Sequence, residues 1–204
     1  VIASVMCFCL GFAVMFGADK TAQAAIEVPV AGSTDQKIDL DWSNGKNFDS
    51  VAIGVRSGLS TDWAVLEYSV PAGATRTSDA TITFVLAAHA DDGNVSTPGS
   101  KAEEAGVLAR TSFTVAADSA YVSNSTSADV KVILAIDMEN GKVYGSAAGS
   151  EFAEVATFTN FSYVSSCESL IPYWLIAGNS AKRLNDVKIY TEDGLYTGDI
   201  KAGN

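Results

Sequence analysis

Two acidic clusters, one histidine and one aromatic pair are the residues whose types and spacing offer chemistry. Asp39-Leu40-Asp41-Trp42-Ser43-Asn44-Gly45 alternates carboxylates and ends on Asn-Gly, and a hard cation wants several such oxygens close together. Asp39, Asp41 and Asn44 are therefore candidate calcium ligands; no other cofactor is expected. Asp91-Asp92-Gly93-Asn94 offers similar oxygens on a loop, where binding residues gather. Asp91, Asp92 and Asn94 are candidate ligand contacts. Tyr173-Trp174 follows Ile171-Pro172, which reads as a loop-to-strand transition and makes this the best-placed exposed aromatic pair. Rings with an apolar face and a polar tip can stack on sugars. Each feature also has a plainer reading: a solvated strand face, an exposed acidic turn and core packing respectively. His89, the sole histidine, reads as the polar end of a buried row.

Other chemistry is excluded or unsupported. One histidine rules out dyads that need two, and most zinc sites. Glu151 and Glu154 stand three residues apart, which puts them on opposite faces of a strand. Neither a Gly-x-Ser-x-Gly elbow nor a phosphate-binding glycine loop occurs. Catalysis is not expected.

The elements that must position these residues are strands. In Asp129–Met138, Val130, Val132, Leu134, Ile136 and Met138 alternate with Asp129, Lys131, Ile133, Ala135 and Asp137, a period-two pattern. Ile133 and Ala135 make part of the second face apolar as well, which predicts a central place in a sheet. Glu139-Asn140-Gly141-Lys142 supplies Asn and Gly for the positive φ of a tight turn, and Val143-Tyr144 begins the return strand. Alternating runs also predict strands at Ile26–Val30, Lys37–Trp42, Asp49–Arg56, Asp62–Val70, Thr81–Ala88, Val107–Val115, Phe152–Val164, Pro172–Ala177 and Leu184–Tyr190. Asp91–Glu104 is the one long loop, and Lys101–Leu108 the one candidate for a helical turn or two. Roughly ten to twelve short strands divided by turn residues predict an antiparallel two-sheet β-sandwich, with a barrel as the weaker alternative. No linker or repeat divides residues 25–204, so one domain is expected.

The first 17 residues are an unbroken apolar and small run, followed by Ala22-Gln23-Ala24. An apolar segment ending in a small-x-small site has the shape of a secretory signal peptide, so residues 1–24 are expected to be cleaved from an N-terminally truncated sequence. The competing reading is a retained membrane anchor, since about 17 apolar residues is the lower limit for spanning a bilayer. The formal charge is -11, which repels nucleic acid and anionic membranes. Of three cysteines, Cys7 and Cys9 lie in the leader. Only Cys167 remains after cleavage, so no disulfide can form within the mature chain.

The run Arg183-Leu184-Asn185-Asp186-Val187-Lys188-Ile189-Tyr190 resembles the closing strand of concanavalin-like and carbohydrate-binding jelly rolls. The order Val130–Met138, Glu139–Gly145, Thr157-Phe158-Thr159-Asn160-Phe161 and closing strand resembles that of laminin-G-like sandwiches, over about residues 80 to 190. The resemblance implies a jelly-roll sandwich and a carbohydrate or other extracellular polymer as partner. Glycosidases of similar fold carry Glu-x-Asp-x-x-Glu on one strand, a string that does not occur here. The reading is a secreted or cell-surface non-catalytic binding module, with Asp91, Asp92, Asn94, Tyr173 and Trp174 as its contacts. The alternatives are a structural or adhesive surface subunit with a retained anchor, and a glycoside hydrolase of concanavalin-like fold.

Overall fold

A computed structural model describes residues 27–29, 38–41, 50–55, 57–88, 107–159, 161, 167, 169–177, 183–198 and 200–203. The alternating runs become β1 (Ile38–Asp41), β2 (Ser50–Val55), β3 (Trp63–Val70), β4 (Ala80–Ala88), β5 (Val107–Val115) and β6 (Val130–Asp137). They continue as β7 (Lys142–Ala147), β8 (Ala153–Thr157), β9 (Leu170–Ala177), β10 (Arg183–Thr191), β11 (Gly194–Leu195) and β12 (Ile200–Gly203). Among the described residues there is no helix.

Two sheets form. The larger runs β1-β10-β3-β6-β7-β8, with β11 also paired to β10, and the smaller runs β12-β2-β9-β4-β5. All ladders are antiparallel. From β1 to β4 the chain changes sheet at every step, and the partners nest: β4 with β5, β3 with β6, β2 with β9, β1 with β10. That winding is a jelly roll. The fold is the two-sheet antiparallel sandwich that the alternation and the family resemblance imply.

β6 sits between β3 and β7, the central place that its two apolar faces predict. Its turn works differently in one respect. Gly141 has φ +69, whereas Asn140 is not among the residues of positive φ. Asn140 instead donates from Nδ2 to the Asp137 carboxylate, which also accepts the backbone N–H groups of Glu139 and Asn140. The predicted strand Phe152–Val164 is shorter, Ala153–Thr157, and the buried Phe158 follows it. No strand forms at residues 27–29, the described part of the predicted Ile26–Val30.

The core lies between the sheets. Leu66, Tyr68, Val132, Leu134, Ile136, Val187 and Ile189 meet Ile53, Ile82, Phe84, Leu86, Trp174 and Ile176 there, all buried. The Tyr68 hydroxyl donates to the Tyr121 carbonyl at 2.8 Å. Burial raises its pKa, with the Tyr121 phenol adding to the effect, and burial alone pushes Tyr173 up to about 12. A folded pKa above the unfolded one means that these phenols stabilise the fold fully below about pH 10. Stability is expected to hold to about pH 9 and to fall as pH rises through 10 to 12. Tyrosinate absorbance from these two rings should appear only with loss of tertiary structure, which an alkaline titration followed by absorbance and near-UV dichroism reads.

Candidate functional site

The face of the large sheet turned away from that core carries the most organised set of polar and aromatic side chains among the described residues. Alternation along β3 sends Trp63, Val65, Glu67 and Ser69 outward. Their partners on β6 are Asp137, Ala135, Ile133 and Lys131. β10 places Tyr190 beside Val65, Lys188 beside Glu67 and Asn185 beside Ser69, while β7 places Tyr144 beside Ala135 and Ser146 beside Ile133. Cross-strand rows result: an apolar and aromatic row Tyr190, Val65, Ala135, Tyr144, and next to it an ionic row begun by Lys188 and Glu67.

The first row is a second apolar cluster, distinct from the inter-sheet core. Val65, Ala135, Tyr144 and Tyr190 are buried in it together with Val28 of residues 27–29, and Trp63, Ile133 and Phe152 pack against it. The Trp63 and Tyr144 rings lie tilted, 5.9 Å apart. In the second row Glu67 Oε1 receives Lys131 Nζ at 3.2 Å and Lys188 Nζ at 3.5 Å. The Glu67 side chain is 5% exposed, Lys188 18% and Lys131 60%. A carboxylate buried to that degree needs compensating charge, and the two ammonium groups provide it.

The backbone is distorted beside this ionic row. The β10–β3 register shifts between Asn185 and Lys188, and Asp186 there has φ +50. A bulge of this kind re-aims side chains and recurs next to functional sites, and Asp tolerates the left-handed conformation better than most residues. The bulge is Asp186-Val187, two residues opposite Tyr68, and so takes in the second residue of the Asn-Asp pair of the family-like motif. Asn185 Nδ2 donates to Asp129 Oδ2 at 2.6 Å, and Asp129 Oδ1 accepts the Ala72 N–H at 2.9 Å. At the rim, Lys142 meets Glu154 at 3.0 Å. The Glu154 carboxyl is held below its usual range by the Thr157 hydroxyl and then by Lys142.

A separate recess of about 300 Å³ lies between Leu59, Ser60 and Thr61 on one side and Thr191, Asp193 and Tyr196 on the other. The Glu192 carboxylate ties these two segments together by accepting the N–H groups of Asp62 and Trp63 at 2.7 and 3.0 Å.

The residues singled out in the sequence fall elsewhere. Tyr173 and Trp174 are 1% and 0% exposed, which corrects their reading as an exposed pair. β9 begins at Leu170 and runs through Pro172, so the pair is mid-strand rather than at a corner. Pro172 is tolerated because pairing to β2 ends at Tyr173, leaving no ladder on that side to interrupt. The Tyr173 ring covers Gly54, where a Cβ would fall 1.9 Å from it. Asp39 and Asp41 lie on β1, paired with β10. Asn44, His89, Asp91, Asp92 and Asn94 lie outside the described residues. Sequence reasoning missed Glu67, Lys131 and Lys188. The available signal was a lone charged residue in the mostly apolar Trp63–Val70 run and a lysine after valine in each of β6 and β10.

No family model and no curated protein matches the chain. Among solved structures it is similar to a Bacteroides ovatus mixed-linkage glucan GH16 in complex with product, at 13% identity and a TM-score of 0.31, covering 71% of this chain and 83% of that one. It is also similar to a family 7 alginate lyase A1-II′ in complex with substrate, at 14% identity and a TM-score of 0.24, covering 84% of this chain and 73% of that one. The non-catalytic carbohydrate-binding module expected from the sequence is corrected. The aromatic pair that was to stack on a sugar is core. No helix of the described residues is long and apolar enough to cross a membrane.

Proposed function

We propose that the chain is a carbohydrate-active jelly roll, exported from the cell, in which a polysaccharide lies across the outer face of the large sheet and Glu67 is the carboxylate that acts on it. The observation that supports this reading is a buried carboxylate held by two lysines in the middle of that face, alongside a row that includes Tyr190 and Tyr144. Glycoside hydrolysis uses a second carboxyl about 5 to 9.5 Å from the first. Asp39, Asp41, Asp91 and Asp92 are the candidates, each to be replaced by Asn. Asp39, Asp41 and Asn44 are also the candidate calcium ligands, so the assay runs with and without a chelator. The chain is incubated with glucans and polyuronates while new reducing ends and unsaturated ends are measured. Wild type is expected to release ends, and Glu67→Gln to lose about 100-fold or more of that rate, the usual scale for a group that moves protons in the transition state. Wild type that releases none on any polymer overturns the reading.

One observation favours a second reading, a structural or adhesive surface subunit. Val28 covers the outer row of Val65, Ala135, Tyr144 and Tyr190, so the large sheet buries apolar side chains on both of its faces. An inactive chain that sediments as a defined assembly would support it.

A further inference from the structure

We infer that residues 27–29 act as a detachable strap over the outer face of the large sheet, with Val28 as its anchor. Val28 is 7% exposed, while Glu27 beside it is exposed and Pro29 half-buried. The segment forms no strand, so no sheet ladder holds it down. Its seat is the row of Val65, Ala135, Tyr144 and Tyr190, which is the row adjoining Glu67. One side chain in an apolar seat, carried by a short segment outside the sheet, is the composition of a contact that opens locally at far lower cost than the fold. Opening uncovers the row beside Glu67. The gating of a polymer by the strap rests on the proposed function; the strap itself does not.

Trp63 reports the state of the seat, because it packs against this cluster and its ring is 5.9 Å from that of Tyr144. Trp174 is fully buried, so the full-length chain carrying Trp42→Phe leaves Trp63 as the quenchable tryptophan. In that background Val28→Asp is expected to shift the closed-to-open ratio by about 10- to 100-fold, the loss of one buried valine, and acrylamide quenching of Trp63 should rise. A synthetic peptide of residues 25–32, at the ~millimolar concentration a short tether supplies, should restore the parent quenching. The same peptide with aspartate in place of Val28 should not. Unchanged quenching in Val28→Asp, or two peptides that act alike, overturns the strap. If Val28→Asp fails to fold, Val28→Ala in the same background must show the intermediate quenching that partial release requires. Activity is read separately: strap release should speed depolymerisation. A chain whose strap opens and whose polymer stays intact keeps the strap and removes the proposed function.

Discussion

Trp174→Ala is expected to lower the unfolding free energy by about 3–5 kcal/mol, the range for deleting a large aromatic from a packed core. Trp174 is fully buried on the inner face of β9, with Ile53 on β2 and Phe84 on β4 as its cross-strand partners. Truncation opens a cavity that two regular ladders prevent from collapsing. Trp174→Phe should cost much less, on the order of 1–2 kcal/mol, for a reason beyond volume. Trp174 Nε1 is buried and has no hydrogen-bond acceptor among the described residues. Phenylalanine removes that unmet donor together with part of the ring, so the cavity term is partly offset. Denaturant midpoints of the two variants decide the matter. If Trp174→Ala cost under about 1 kcal/mol, Trp174 would not be core, and the stacking corner read from the sequence would return.

The same residue shows what was legible and what was not. Alternation in β3, β4, β6 and β10 is strong because each has at least one face against the inter-sheet core, and that regularity carries the sandwich, its antiparallel ladders and the central place of β6. Pro172 misled because proline usually marks the end of a strand. Whether it does depends on where the ladder to β2 stops, and pairing ends are a tertiary property. Glu67 was passed over because a single acid in an apolar run carries no spacing signal. It acquires meaning only when the ladders bring Lys131 and Lys188 to the same carboxylate from strands 64 and 121 residues away in sequence. The Asn185-Asp186 pair was visible as a pattern, but its cause, a bulge with Asp186 at φ +50, was not.

Glu67→Ala is expected to destabilise the fold by about 2–3 kcal/mol, below the 3–5 typical of breaking a fully buried ion pair. The discount follows from exposure. Lys131 is 60% exposed and can return its ammonium group to water, whereas Lys188 is 18% exposed and is left with an uncompensated charge. The two lysines should therefore behave differently. Lys131→Ala should cost under about 1 kcal/mol and lose that cost in high salt, as an exposed pair does. Lys188→Ala should cost more and respond little to salt. Replacing both buried partners, as in Glu67→Leu with Lys188→Met, should recover most of the loss, because neither charge is then stranded. A double-mutant cycle over Glu67 and Lys188 measures the coupling directly. A cycle that closes additively, or a Lys131→Ala more costly than Lys188→Ala, would show that the side chains do not form the buried pair. Glu67→Gln keeps the shape of the side chain and its amide oxygen can still accept from the lysines, but it removes the charge that compensates Lys188, so it should cost about 1–2 kcal/mol, less than Glu67→Ala. Polymer cleavage by Glu67→Gln is therefore read where near-UV dichroism shows the variant folded, so that a loss speaks for chemistry at Glu67 rather than for the integrity of the sheet.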